Sequence, residues 1–293
     1  MHSSNAQRAY YKYLAPTMAV IFLLTVVPII VTVVLSLTSL SYRSANPSRF
    51  IGIQNYVRLF SDERFLNSIP ISIILIVVPV AAQLILGFII AVIMKEKLPG
   101  MGWLRLLFVA PMVLPPIVMG LMWRILFTPQ LGGVNYLLSL VGITGPNWLS
   151  DPTYALLAVI MAAVWGWTPF VGLMFLTSMQ SFPVDIYEAA VIDGASWTKS
   201  VRYITLPLLR PTIFVVGVFR VIEALAIFPI IFILTNGGPA GATETVNFYG
   251  YVSGFNFLRI GYASAIMVFF FMMLLLITAP SVGFLLRNQQ MER

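Results

Sequence analysis

The chain has 293 residues, of which 59% are hydrophobic and 9% charged. A soluble domain carries about 25% charged residues, so a water-covered globule is excluded and the chain belongs in a bilayer. The excess of 17 Lys+Arg over 10 Asp+Glu is read as Lys and Arg near lipid headgroups, not as a nucleic-acid footprint. The absence of Cys excludes disulfides, thiolate zinc sites and Cys nucleophiles. The one His, His2, stands in the N-terminal tail and leaves little room for His chemistry.

A membrane-crossing helix needs about 20 mostly apolar residues. Six runs qualify, at about 14–40, 69–94, 104–127, 154–179, 209–235 and 263–286. They are continuous, without a two-residue alternation, so helices rather than barrel strands are predicted. The first is too long for a signal-peptide core, lacks a small-residue cleavage site and reads as a retained anchor. Six spans put both termini on one side. That side carries Arg8, Lys12, Lys95, Lys97, Arg105, Lys199, Arg202, Arg210, Arg287 and Arg293. The other side carries Arg43, Arg49, Arg58, Arg64, Arg124 and Arg259, so the positive-inside rule makes the termini cytoplasmic. Pro28, Pro79, Pro111, Pro115, Pro116, Pro169 and Pro229 fall within spans, and Leu114-Pro115-Pro116 is the foremost kink candidate. Trp103, Trp123 and Trp148 lie near span ends and are predicted to be interfacial belt residues.

The fourth connection, 180–211, is the longest on the cytoplasmic side. Ser181 and Pro183 open a predicted helix with Asp185 and Glu188 toward its positive end. Gly194 stands where a helix ends in a left-handed residue. Ser196 is placed to cap a second short helix, which Pro207 is expected to stop. The reading is helix, tight turn, helix, just outside the membrane.

Glu188-Ala189-Ala190, three residues, Gly194, nine residues, Ile204, one residue, Leu206-Pro207 resembles the EAA loop of bacterial ABC importer permeases without a departure. Further stretches resemble the carbohydrate-uptake branch, in its MalF-like and glycerol-phosphate-transporter-like half. They are Phe50 to Tyr56 with Asp62 and Phe65, Asp193-Gly194-Ala195, and Leu234-Thr235-Asn236-Gly237-Gly238-Pro239 followed by Thr243-Glu244-Thr245. The chain lacks the extra N-terminal helices and large periplasmic insertion of the maltose protein. The resemblance covers about 14–290. It implies an all-α membrane protein with six transmembrane helices, in the type I (MetI-like, MalF-like) permease fold with a cytoplasmic EAA coupling helix. The organisation expected is a tail at 1–13, a first transmembrane helix at 14–40, a periplasmic loop at 41–68, a type-1 transmembrane domain at 69–286 including the EAA loop, and a tail at 287–293.

The resemblance also implies the division of labour. A second, MalG-like permease would complete a heterodimer, two ATPase subunits would hold ATP and Mg, and a periplasmic binding protein would deliver a sugar-type solute. This chain has no Gly-x-x-x-x-Gly-Lys-[Ser/Thr] loop, so no cofactor is expected on it. The expected location is the bacterial inner membrane, and the expected mechanism is ATP-driven alternating access. Glu188, Ala189, Ala190, Asp193, Gly194, Ile204, Leu206 and Pro207 would couple the ATPase to the spans.

Ionisable residues inside a span are functional candidates. Arg220 and Glu223 stand three apart on one helical face, either lining the path or pairing with each other. If Arg220 meets solute, an acidic, sulfonated or phosphorylated sugar derivative is favoured. Trp165, Trp167 and Phe170 offer aromatic faces for sugar C–H surfaces, and Ala224 and Ile227 complete the predicted path. An ion-coupled secondary transporter of a small polar solute is the alternative. A membrane enzyme finds no metal cluster or nucleophile–base set.

Overall fold

The computed structural model describes residues 13–43, 46–95 and 101–291. His2, Arg8, Lys12, Lys97 and Arg293, weighed above for charge, lie outside them. Among the described residues, five helices are long and apolar enough to cross a membrane. They are α1 (Tyr13–Ser36), α3 (Glu63–Lys95), α7 (Pro152–Gln180), α9 (Trp197–Ala224) and α12 (Ile260–Met291, apolar over Ile260–Ala279). The run predicted at 104–127 becomes a pair, α4 (Met101–Val113) and α5 (Pro116–Leu126), and its arms diverge by 106°. Leu114-Pro115-Pro116 is the break, as its chemistry requires: Pro cannot donate to the ladder and pushes the residue before it out of the helical region. Counted with this bent pair, the spans number six. Short helices α2 (Gln54–Leu59), α6 (Gly133–Leu140), α8 (Val184–Ile192), α10 (Phe228–Leu234) and α11 (Val246–Tyr251) fill the connections.

The chain divides into two compact units. One comprises the chain up to Leu66 with Tyr249–Met273, the other Asn67–Phe248 with the chain from Leu274. In the first, α1 exposes large apolar side chains such as Leu23 and Leu24, which suits a helix surrounded by lipid. Its end is tied down by polar bonds. Asn55 is buried and donates to the Ser36 and Thr38 carbonyls at 2.8 and 2.9 Å. The Leu40 carbonyl accepts from Gly261 N–H at 2.8 Å. Asp62 lies at the start of α3. Its Oδ1 accepts from the Arg64 and Phe65 N–H groups at 3.0 and 3.3 Å, and its Oδ2 accepts from the Tyr249 and Tyr262 hydroxyls at 2.6 and 2.5 Å. Burial alone would raise this carboxyl, but the two tyrosines and two amides together hold it below its ordinary value.

The second unit is built on α3 against α7. A Cβ on Gly87 would come within 2.7 Å of Val171, so glycine sets the helix separation, as small residues do between membrane helices. Ala91, Val92, Val171, Phe175, Met179, Leu209 and Val216 belong to one buried core cluster of this unit. The fifth predicted span, 209–235, is not one helix. Helix α9 starts earlier, at Trp197, and ends at Ala224; α10 follows after a break at 225–227. Pro229 accounts for this, because in a continuous helix its ring would clash with the Leu225 carbonyl. That carbonyl accepts instead from Asn247 Nδ2 at 3.0 Å. Pro207, expected to stop a helix, lies inside α9. A π-turn at Val201–Thr205 precedes it, and such local adjustment accommodates Pro within a membrane helix.

Two of the three predicted belt tryptophans are packed inside. Trp123 stacks on Phe127 at 5.0 Å, and Trp148 donates from Nε1 to Asn135 Oδ1 at 2.7 Å; both are buried. Position near a span end does not distinguish an outward ring from one facing α7. Trp103 is 75% exposed, as a belt residue would be.

Candidate functional site

Two places in the second unit hold residue types where they are costly. The first is a cation in an apolar interior. Arg220, on α9, is 1% exposed. Its Nε donates to Gln83 Oε1 on α3 at 3.0 Å, and its guanidinium carbon lies 4.1 Å from the centre of the Trp167 ring on α7. Gln83 is itself fully buried, and its Nε2 donates to the Ala163 carbonyl at 3.0 Å, which fixes which amide end faces the arginine. Three helices thus meet at one guanidinium. Arg220 Nη1 is buried with no hydrogen-bond partner, and Glu223, half-exposed one turn on, acts on the guanidinium through its charge. A buried cation held directly by a neutral amide and a ring, with the Glu223 carboxylate acting on it only at a distance, is expensive to keep. The arrangement presents a desolvated, planar donor suited to an oxyanion.

The predicted aromatic set divides. Trp167 joins Arg220, and Phe170 packs edge-on to Trp167 at 6.5 Å and against Phe219 at 5.3 Å. Trp165, two residues from Trp167 and so on the other side of α7, packs instead on Trp123 at 5.8 Å. Ala224 and Ile227 are buried and flank the break after α9. Gln83 was missed in the sequence, although an amide within the apolar run 69–94 was the available signal.

The second place is the 180–211 connection, where apolar residues lie outside. Helix α8 ends in a Schellman motif. Gly194 has φ +75°, its N–H donates to the Val191 carbonyl at 3.0 Å, and Ala195 N–H donates to Ala190 at 2.9 Å. Asp185 is in the first turn of α8, where the helix dipole favours a carboxylate. Ser181 does not cap α8. It follows α7 and its hydroxyl donates back to the Ser178 carbonyl at 2.7 Å, and Pro183 takes the N-cap position. Ser196 occupies the N-cap of α9, but its hydroxyl meets Thr198 Oγ1 at 3.2 Å, not a backbone N–H. Helix α8 is fastened by Tyr187. Its ring lies 3.7 Å from Lys95 Nζ, and its hydroxyl bonds Thr205 Oγ1 at 3.0 Å. The other faces are open: Glu188, Ala189, Asp193, Gly194 and Leu206 are exposed, with Ala190, Ile204 and Pro207 half-buried. Val191 and Ile192 at the tip are 70% and 85% exposed.

Residues 83–288 match the family described as binding-protein-dependent transport system inner membrane component. The trehalose/maltose transport system permease protein MalF of Thermococcus litoralis is 35% identical over 92% of this chain and 90% of its own. The sulfoquinovosyl glycerol transport system permease protein SmoG of Agrobacterium fabrum is 35% identical over 91% of this chain and 86% of its own. The fold matches a bacterial ABC transporter that imports the acidic polysaccharide alginate, with a TM-score of 0.83 and 22% identity over 97% of this chain and 96% of that one. The chain belongs to the binding-protein-dependent transport inner membrane family. It is a multi-pass permease subunit of an ABC importer, in which ATP hydrolysis is the work of a separate subunit. That membership disfavours the ion-coupled alternative.

Proposed function

We propose that this chain is the MalF-like half of a heterodimeric permease that imports an anionic sugar derivative. The observation that carries the anionic part is the buried Arg220 guanidinium, whose Nη1 has no hydrogen-bond partner. An acidic group on the solute would supply the acceptor that Nη1 lacks, while Trp167 and Phe170 would offer faces to the sugar ring. The sugar class is supported by the relatives, whose names give trehalose/maltose and sulfoquinovosyl glycerol as their cargoes.

The partners proposed are a MalG-like permease, two ATPase subunits carrying ATP and Mg, and a periplasmic solute-binding protein. The Lys and Arg distribution supports a cytoplasmic position for both termini. Helix α8 would seat in the ATPase subunit through Glu188, Ala189, Ala190 and Asp193, with Gly194 making the turn. Ile204, Leu206 and Pro207 would carry its movement into α9. Because α9 also holds Arg220, a shift of α8 is transmitted along one helix to the site. Arg220 is buried in this structure, so the helices around it would have to part for solute to reach it, as alternating access requires.

Competition uptake in vesicles of the assembled transporter tests this. Wild-type is expected to prefer an anionic sugar over its neutral counterpart. Arg220→Gln should remove that preference while assembly, followed by co-purification of all subunits, is retained. An unchanged preference in Arg220→Gln would overturn the proposal.

A further inference from the structure

A groove of about 470 Å3 lies between α3, α4 and α7, with Trp123 of α5 also on its wall. Leu86 and Ile90 of α3, Leu107 and Phe108 of α4, and Met161 and Trp165 of α7 line it. Leu86, Leu107 and Met161 are each more than a third exposed, so the groove is open at the surface of this chain. A helix with side chains is about 10–12 Å across with a 5.4 Å pitch. The volume therefore accepts roughly one helical turn, too little to seat a partner helix but well suited to a thin, flexible chain.

One turn beyond the apolar lining, outside the groove itself, lies a cationic bridge between α3 and α4. Arg105 stands one turn before Phe108 on α4, and its Nη2 donates at 2.6 Å to the carbonyl of Met94, one turn beyond Ile90 on α3. The guanidinium therefore bridges the two helices where the apolar walls stop. Its Nε is buried without a hydrogen-bond partner. Lys95, next to Met94, adds a second cation at the same end, on the Tyr187 ring. Exposed Trp103, two residues before Arg105, marks headgroup depth.

We infer that the groove is a site for an anionic phospholipid, with one acyl chain along Leu86, Ile90, Leu107 and Met161 and the phosphate at Arg105. The lipid comes from the leaflet that borders α8. It therefore lies beside the Lys95–Tyr187 contact that fastens α8, and its occupancy stiffens the base of that helix. This does not depend on which solute is carried.

Native mass spectrometry of the assembled transporter, released from nanodiscs of phosphatidylglycerol or of phosphatidylcholine, tests the inference. Phosphatidylglycerol should be retained and phosphatidylcholine should not. Arg105→Gln should reduce retention about fivefold, the value of one basic side chain at an anionic surface, and Arg105→Lys should restore most of it. Ile90→Trp, which fills the groove and leaves the charges alone, should also displace the lipid, and it decides the matter if Arg105→Gln fails to assemble. Equal retention of both lipids, or unchanged retention in Ile90→Trp, would overturn the inference. So would cross-linking of Met161→Cys to the partner permease with no lipid retained.

Discussion

Asp62, partly buried, and Arg220, fully buried, are two charges with contrasting surroundings, and they are treated in opposite ways. Asp62 is answered in full within its own unit: two tyrosine hydroxyls and two backbone N–H groups converge on one carboxylate. Arg220 receives one amide oxygen and one ring face, and a buried N–H is left over. A satisfied charge is a fastening. An unsatisfied one is a demand on something outside the chain. On the function proposed above, Asp62 belongs to architecture and Arg220 to the solute, and substitutions at the two positions should separate along that line.

The largest effect is expected at Asp62. Asp62→Ala leaves two buried tyrosine hydroxyls without an acceptor and should cost about 3 kcal/mol, at about 1–3 kcal/mol per orphaned group. Thermal unfolding of the purified assembly measures it, and the correctly folded fraction should keep its preference for charged solute. A changed preference would break the comparison. Gln83→Leu comes next, at about 2 kcal/mol for a lost hydrogen bond to a charged group. Here the uptake of anionic solute should fall as well, because Arg220 loses the contact that aims it. A purely thermal effect would place Gln83 with the fastenings.

Gly194→Val tests the coupling turn. A Cβ there meets nothing within 4 Å, so the penalty is conformational only, about 1–2 kcal/mol for a left-handed residue. Uptake and binding-protein-stimulated ATPase activity should uncouple, while membrane insertion persists. Gly194→Asn, which tolerates that backbone, should behave nearly as wild-type. If Val and Asn behave alike, the left-handed turn is not what matters.

The smallest effect is on pH dependence. The folded-state value of Asp62 lies below its ordinary 3.8. Its stabilisation is therefore fully present above that ordinary value and is lost as pH falls through the lower, folded one. The apparent stability of wild-type should decline in that acid window, and Asp62→Asn should show a shallower decline.

The sequence made much of this legible, and the places where it did not are instructive. The apolar runs, the Leu114-Pro115-Pro116 bend and the Gly194 turn follow from local chemistry, since length, the missing Pro N–H and the left-handed backbone act within a few residues. The break after Ala224 was hidden because it depends on Pro229 together with Asn247, whose amide takes the Leu225 carbonyl from 22 residues away. Gln83 was hidden for the same reason. Its role exists only because α3, α7 and α9 meet, and nothing in the run 69–94 names its partners. Trp123 and Trp148 misled because a tryptophan near a span end has two possible sides, and facing α7 or lipid is a tertiary choice.

A permease subunit without its own ATPase is a path that a nucleotide-driven partner opens from outside. Solute accumulation in vesicles, with the binding protein present and the two permease subunits reconstituted with or without their ATPase, tests that most directly. Uphill accumulation is expected only with the ATPase subunits and ATP. Accumulation against a gradient by the permease subunits alone would contradict it.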